Sequence, residues 1–246
     1  MENTILLIET ATESCSVALA KDREIIAEKY INEPKAHATL LARYIKDILE
    51  ENNIRITDCS AVAVSEGPGS YTGLRVGVSC AKGLCYGAQK PLIGVSTLAA
   101  IAQCALDNKE IAESIGELQQ STFQTAGKRL PLLIVPMIDA RRMEVYTAIF
   151  NEAGMQLTPT EAKILDETSF AEELDSSIVL FTGNGSEKFK PLVNHPHALF
   201  AEQLPHATGM RVIARDMYNK KEFKDCAYFE PFYLKEFVAG KPKKLL

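Results

Sequence analysis

Four stretches of this chain hold residues whose types and spacing could do chemistry. The first is Glu9–Thr10–Ala11–Thr12, a carboxylate and two hydroxyls set between apolar runs. Hydroxyls and backbone N–H groups in such a corner suit nucleotide phosphates, and the acid could position a metal-bound water. The same residues also make an ordinary polar turn whose hydroxyls satisfy their own backbone. The second stretch is Gly67–Pro68–Gly69, followed by Ser70 and Thr72 as candidate helix caps, a place where a helix N-terminus could hold phosphate. Behind it Gly73, Gly77, Ala81 and Cys85 recur every four residues and share one helix face. Each interior glycine costs a helix ~1 kcal/mol relative to alanine. Two on one face imply another backbone very close by: either a phosphate turn or the docking of another helix.

The third stretch is Asp139, at the end of an apolar run and followed by Arg141, Arg142 and Glu144. A strand-end carboxylate beside cations suits catalysis or a structural ion pair. The fourth, Gly183–Asn184–Gly185 after another apolar run, is a second phosphate-facing turn or simply a turn. Histidines add little. His37 stands on a helical stretch with Leu40 and Leu41 where a metal site would place a second histidine, so it reads as a packing or interface residue. His195 and His197 flank Pro196 with neither acids nor cysteines beside them. The six cysteines (15, 59, 80, 85, 104 and 226) show no CxxC pairing and sit mostly inside apolar runs. Buried reduced thiols in a cytoplasmic protein are the expectation. No Ser/His/Asp or Cys/His set has an activating local motif, and no metal set is predicted.

The elements that must position these groups follow from the periodicity. TILLIET from Thr4, SCSVALA from Ser14 and the run Glu24–Ile31 read as three strands in two hairpins. A helix begins near Pro34, with Ala38, Leu41, Ala42, Ile45, Ile48 and Leu49 on one face. Ala61–Ser65 is a fourth strand, the glycine stretch supplies a helix to about Tyr86, Leu92–Val95 is a fifth strand, and Ser96 caps a helix through Leu106. The order β-β-β-α-β-α-β-α is that of one actin- or hexokinase-like lobe and differs from doubly wound alternation.

Residues 107–129 are polar without strong periodicity and read as an insertion between lobes. A degraded second pass then begins. Leu132–Asp139 and Glu144–Phe150 are strands, Glu161–Leu165 a third, Ser169–Leu174 a short helix, and Ile178–Thr182 a buried strand followed by a turn and another short helix. Leu199–Thr208 reads as a loop with a strand fragment, Gly209–Tyr218 as a helix packing back on the first lobe, and Pro231–Val238 as extended. The organisation expected is a first lobe from 1–106 plus about 207–230, a smaller degenerate second lobe over 107–206, and a C-terminal tail over 231–246. Lys235, Lys241, Lys243 and Lys244 make that tail basic, either solvated or touching RNA phosphates.

With 246 residues, 46% hydrophobic and 24% charged, the chain can bury a substantial core. A net charge of −5 argues against its gripping nucleic acid alone. The opening MENTILLIET lacks a signal peptide's basic and long apolar regions, and no apolar run is long enough to span a bilayer.

The stretches ILLIETATESCSVAL, HATLLARYI, AVAVSEGPGSYTGLRVGVSCAKGL, VSTLAAIA and IDARRMEVY resemble the bacterial TsaB (YeaZ) family, with looser matches through GNGSEKF and PFYLKEFVA. The motif GPGSYTGLRVG at Gly67–Gly77 is highly specific to it. The resemblance implies an ASKHA (ribonuclease H-like) two-lobe α/β fold. It also implies a non-catalytic subunit of the tRNA threonylcarbamoyladenosine modification complex, bound to the transferase TsaD, with the ATPase TsaE joining. Alone, such a protein self-associates as a homodimer. It reaches tRNA through the complex, and ATP or ADP enters only with partners. TsaD-like enzymes carry two histidines on the helix after the hairpins, whereas this chain has only His37 there, and Glu9 stands where the family commonly has Asp.

The partner or dimer interface is therefore expected at His37, Leu41, Ile45, Tyr71, Gly73, Arg75, Gly77 and Ala81. A vestigial nucleotide contact is expected at Glu9, Thr10 and Thr12. The rival is a stand-alone ATP-dependent kinase or peptidase of the actin-like superfamily.

Overall fold

Apolar alternation near the N-terminus folds as two successive hairpins. In the computed structural model, which describes residues 3–33 and 36–235, β1 (Thr4–Glu9), β2 (Ser14–Lys21) and β3 (Glu24–Asn32) are antiparallel. The proposed start near Pro34 lies outside the described residues. Helix α1 (Ala36–Glu51) returns the chain so that β4 (Ala61–Gly67) lies parallel to β1, and α2 (Tyr71–Ala88) does the same for β5 (Leu92–Ser96). The sheet order is β3-β2-β1-β4-β5.

Two helices, α3 (Thr97–Asp107) and α4 (Lys109–Ala126), carry the chain to β6 (Leu132–Asp139). There the pattern repeats. β7 (Glu144–Thr147) and β8 (Phe150–Asn151) run antiparallel to β6, and β9 (Glu161–Ile164) runs antiparallel to β7. A short α5 (Ala171–Ser176) leads to β10 (Ile178–Thr182), parallel to β6, and β11 (Ala198–Ala201) follows parallel to β10. Read from β9, the order β9-β7-β6-β10-β11 reproduces that of the first sheet. Two such sheets make the actin/hexokinase-like, two-lobe α/β fold.

The second copy is degenerate in its helices. Between β10 and β11 stands one 3-10 turn, Lys190–Leu192, where the first lobe has the 18-residue α2. Phenylalanines fill the space instead: Phe170, Phe181 and Phe189 meet edge to face with centroids 5.0–5.7 Å apart, a geometry favoured by the ring quadrupoles. The short helix expected after Asn184 is reduced to that single 3-10 turn, Lys190–Leu192, which follows directly on the buried Phe189.

Three other expectations need correction. The strand Glu144–Phe150 is broken after Thr147. Pro136 on the facing strand has no N–H for the ladder, and Thr147 Oγ1 instead donates to its carbonyl at 2.8 Å. The short helix starts at Ala171 rather than Ser169, since Ser169 and Asp166 form a polar turn ahead of it. Most importantly, the stretch 107–129, read as polar without strong periodicity, is largely the regular helix α4. Asn108 caps it, accepting from Glu110 N and Ile111 N at 3.0 and 3.3 Å, and Gly127 ends it in the left-handed region. Ile111 and Ile115 bury one turn apart against the second sheet, and Leu118 half-buries beside them. Asn108→Ala is expected to lower unfolding free energy by about 1 kcal/mol, measured by urea denaturation; no change would deny the cap its role.

Helix α3 is the wall between lobes. Leu98, Ile101, Ala102 and Ala105 pack into the second sheet with Leu132, Ile134 and Leu180. Ala100 packs with Ile5, Leu7, Ile93 and Val95 of the first. The chain then returns: Ala207, Met210 and, on α6 (Arg211–Lys220), Ala214 cover that same face. Arg211 Nη1 grips Asp107 at the end of α3. No helix among the described residues is long and apolar enough to cross a membrane.

Candidate functional site

The corner after β1 is closed by the chain's own atoms. Glu9 and Thr10 have no exposed surface and Thr12 is 6% exposed. Glu9 Oε1 accepts from Ala11 N at 2.6 Å, Thr10 Oγ1 donates to the Gly73 carbonyl at 2.8 Å, and Thr12 Oγ1 pairs with Ser14 Oγ at 2.9 Å. Ser70 N donates to the Ala11 carbonyl at 2.6 Å, so the start of α2 seats directly on the turn. The side chains of Glu9, Thr10 and Thr12, where a nucleotide contact was expected, are thus turned onto the chain's own groups. Burial pushes the Glu9 carboxyl up to about 7, because Oε2 has no partner and no solvent.

The glycine face of α2 explains this closure. A Cβ at Gly73 would collide with the Thr10 carbonyl oxygen, and one at Gly77 with Thr10 Oγ1. Ser70 is the N-cap, its hydroxyl accepting from Gly73 N at 3.3 Å, while Thr72 lies inside the helix. The close backbone approach inferred from the period of four is therefore real, but its partner is this chain's own β1 corner. Ala81, Leu41 and Ile45 are likewise buried in the first-lobe core with Val17, Val62 and Val78. His37 is 6% exposed, with Nδ1 unpartnered, and burial pushes its imidazole down. Of the eight residues expected at an interface, these six are buried; for Leu41, Ile45, Gly73, Gly77 and Ala81 the reason is that packing of α1 and α2 on the sheet needs their small or apolar side chains. Tyr71 and Arg75 remain on the outer side. The Arg75 guanidinium lies 4.6 Å from the Tyr71 ring centroid, and Tyr233 packs on Tyr71 at 5.0 Å.

The surface of α2 that does face solvent is the next ridge: Thr72, Arg75, Ser79, Gly83 and Tyr86 are exposed. Cβ atoms at Gly83 and Gly87 would meet nothing within 4 Å, and Tyr86 is 84% exposed. On α1, Ala38, Thr39, Ala42, Arg43 and Lys46 are exposed. A ridge of small residues punctuated by an exposed tyrosine suits the close approach of another helix. The sequence carried this signal too, in glycines ten and fourteen positions after Gly73, but the stronger period masked it.

Beyond α6, residues 222–235 form a strap along α2 and the β5 edge. Lys224 N donates to the Leu92 carbonyl and its Nζ pairs with Glu66 at 2.7 Å. Lys82 Nζ holds the carbonyls of Ala227 and Phe229 at 3.2 and 2.9 Å. Phe232 N donates to the Glu66 carbonyl at 2.7 Å. Lys235 reaches the second lobe, where its Nζ pairs with Glu144. The remaining tail lysines, and Pro231–Val238 beyond Lys235, lie outside the described residues.

In the second lobe, the position equivalent to Glu9 is Asp139, and it serves structure. Its Oδ1 accepts from Lys188 Nζ at 2.7 Å and Arg141 N at 2.6 Å, and Asn184 Oδ1 accepts from Asp139 N at 3.0 Å. The GNG turn packs against the end of β6: a Cβ at Gly183, which has φ of +90°, would strike the Met137 carbonyl. His197 Nδ1 lies 2.8 Å from the Leu174 carbonyl, a packing contact. All six cysteines are free; burial pushes Cys15 and Cys59 to about 11 and Cys85 and Cys104 to about 12. Such thiols are inert at neutral pH.

Three comparisons place this geometry among known proteins. The family described as TsaD, tRNA N6-adenosine threonylcarbamoyltransferase, matches residues 24–180. The tRNA threonylcarbamoyladenosine biosynthesis protein TsaB of Escherichia coli (strain K12) is 31% identical, over 96% of this chain and 96% of that protein. Its counterpart in Haemophilus influenzae is 29% identical over 98% of both. The solved structure of YeaZ from Pseudomonas aeruginosa superposes with a TM-score of 0.74 at 25% identity, covering 94% of this chain and all of that one.

Proposed function

The chain belongs to the TsaB family, and from that premise we propose that it works in tRNA threonylcarbamoyladenosine biosynthesis as a non-catalytic subunit that docks on, and supports, a TsaD-type transferase. The observation that carries this reading is the contrast between the two sides of the first lobe. The corner that would hold phosphates is filled by Thr10, Thr12 and the start of α2. The outer ridge of α2, with open positions at Gly83 and Gly87, stands uncovered beside α1. In this reading the partner's helices lie across that ridge, with Tyr71 and Arg75 at one end and Tyr86 at the other. Without the partner, a second copy takes the same surface. A TsaE-type ATPase joins the assembly, nucleotide enters only with partners, tRNA is met through the complex, and the setting is the cytoplasm.

A stand-alone kinase or peptidase is the weaker reading, since Glu9 is sealed from any substrate. Gly83→Arg separates fold from function. Replacing an exposed helical glycine is expected to raise stability by up to ~1 kcal/mol, yet to weaken binding of the TsaD-type partner by at least about 2 kcal/mol. Calorimetric titration of the partner measures this, alongside tRNA modification reconstituted with and without the chain. Full affinity in the variant would move the docking site elsewhere.

A further inference from the structure

The turn between β6 and β7 holds two consecutive non-glycine residues at positive φ. Arg141 and Arg142 sit there in succession with φ of +71° and +51°. Left-handed pairs at hairpin tips normally go to asparagine and glycine, because a Cβ crowds the following carbonyl. Two long side chains in such positions need a reason, and the local hydrogen bonding does not supply one through their guanidinium groups. The tip is instead held from within by its backbone and by Lys188. Arg141 N donates to Asp139 Oδ1 at 2.6 Å, and Ala140 N and the Glu144 carbonyl close the loop at 3.0 Å. Lys188 Nζ donates to the carbonyls of Arg142 (2.9 Å) and Glu144 as well as to Asp139.

The acids beside the tip are also neutralised. Asp139 pairs with Lys188 and Glu144 with Lys235, while Arg141 and Arg142 are exposed. Counting these six groups, the tip carries an excess of +2 on a chain whose net charge is −5. Strained backbone maintained by its surroundings is a mark of function, and a rigid loop presenting two forked guanidinium groups suits oxygen anions held in fixed spacing.

We propose that Arg141 and Arg142 form a phosphodiester-binding tip that grips the backbone of the RNA modified by the complex. The proposal rests on the role in tRNA modification given above, and it assigns this chain a direct contact with the RNA that the docking ridge does not provide. Phosphate contacts of this kind position a nucleic acid without reading its sequence. They also impose a salt dependence, each contact adding close to one to the slope of log affinity against log salt concentration.

The test uses the complex of this chain with its TsaD-type partner and an unmodified tRNA transcript, followed by fluorescence anisotropy over a range of salt. Replacing both residues (Arg141→Gly with Arg142→Gly) is expected to weaken tRNA binding by about tenfold or more and to reduce the salt slope by about 2. The melting temperature of the variant should equal or exceed the parent's, since glycine fits both positions. Arg141→Lys with Arg142→Lys should recover most of the slope. Unchanged affinity and slope in the glycine variant would overturn the tip, as would a loss confined to affinity for the TsaD-type protein, which would mark an acidic protein contact instead. If tRNA binding and modification were both indifferent to the presence of this chain, the scaffold reading itself would fall, a result separate from either outcome for the tip.

Discussion

Gly73→Ala is expected to cost about 3 kcal/mol of unfolding free energy or to prevent folding. The added methyl would occupy the position of the Thr10 carbonyl oxygen, a backbone atom that cannot swing aside. Overpacking of this kind costs ~1–3 kcal/mol even where side chains can yield. Here the strain falls on the turn whose Ala11 carbonyl accepts from Ser70 N and whose Thr10 Oγ1 donates to the Gly73 carbonyl. Ordinarily alanine would stabilise a helix by ~1 kcal/mol over glycine, so the sign of the change is diagnostic. Urea denaturation or thermal melting followed by circular dichroism reads it directly. A variant as stable as the parent would mean that the helix and the β1 corner can separate. Gly83→Ala, ten residues along the same helix in open space, is the matched control.

The second large effect is electrostatic and depends on pH. Glu9 is fully buried, with one oxygen unpartnered, and its carboxyl titrates at about 7 instead of 4.5. A native-state value above the unfolded one means that the folded chain binds the proton more tightly. Stability from this group is therefore full below about 4.5, declines as pH rises towards 7, and stays low above it. A shift of this size corresponds to about 3 kcal/mol at pH 8. Glu9→Gln keeps the acceptor for Ala11 N and replaces the ionisable oxygen with a neutral donor. The variant is expected to match the parent near pH 4.5 and to exceed it by about 2–3 kcal/mol at pH 8. Chemical denaturation at the two pH values gives the difference of differences. An equal gain at both would attribute the effect to packing rather than ionisation.

Much of the fold was legible because its signals are local. A continuous apolar run marked β1, alternation marked β2 and β4, Ser70 and Ser96 marked helix starts, and the β-β-β-α order distinguished this topology from doubly wound sheets. Helix α4 was not legible. Its buried residues, Ile111 and Ile115 with the half-buried Leu118, hold helical spacing, but fourteen polar or small neighbours in the helix dilute them. The site was half legible. A period of four in glycine and alanine states that a backbone approaches, yet no local pattern says whose backbone it is. Only the long-range seating of α2 on Thr10 decides that, and it turns an apparent docking face into an internal one. Lys188 was illegible for the same reason: its three acceptors come from residues more than forty positions away.

The placement of α3 has a consequence for how the molecule comes apart. Its two sides are built into different cores, and Arg211 fastens its end to the returning helix. Neither half can melt without stripping a wall from the other. The lobes therefore form a single cooperative unit rather than two hinged bodies.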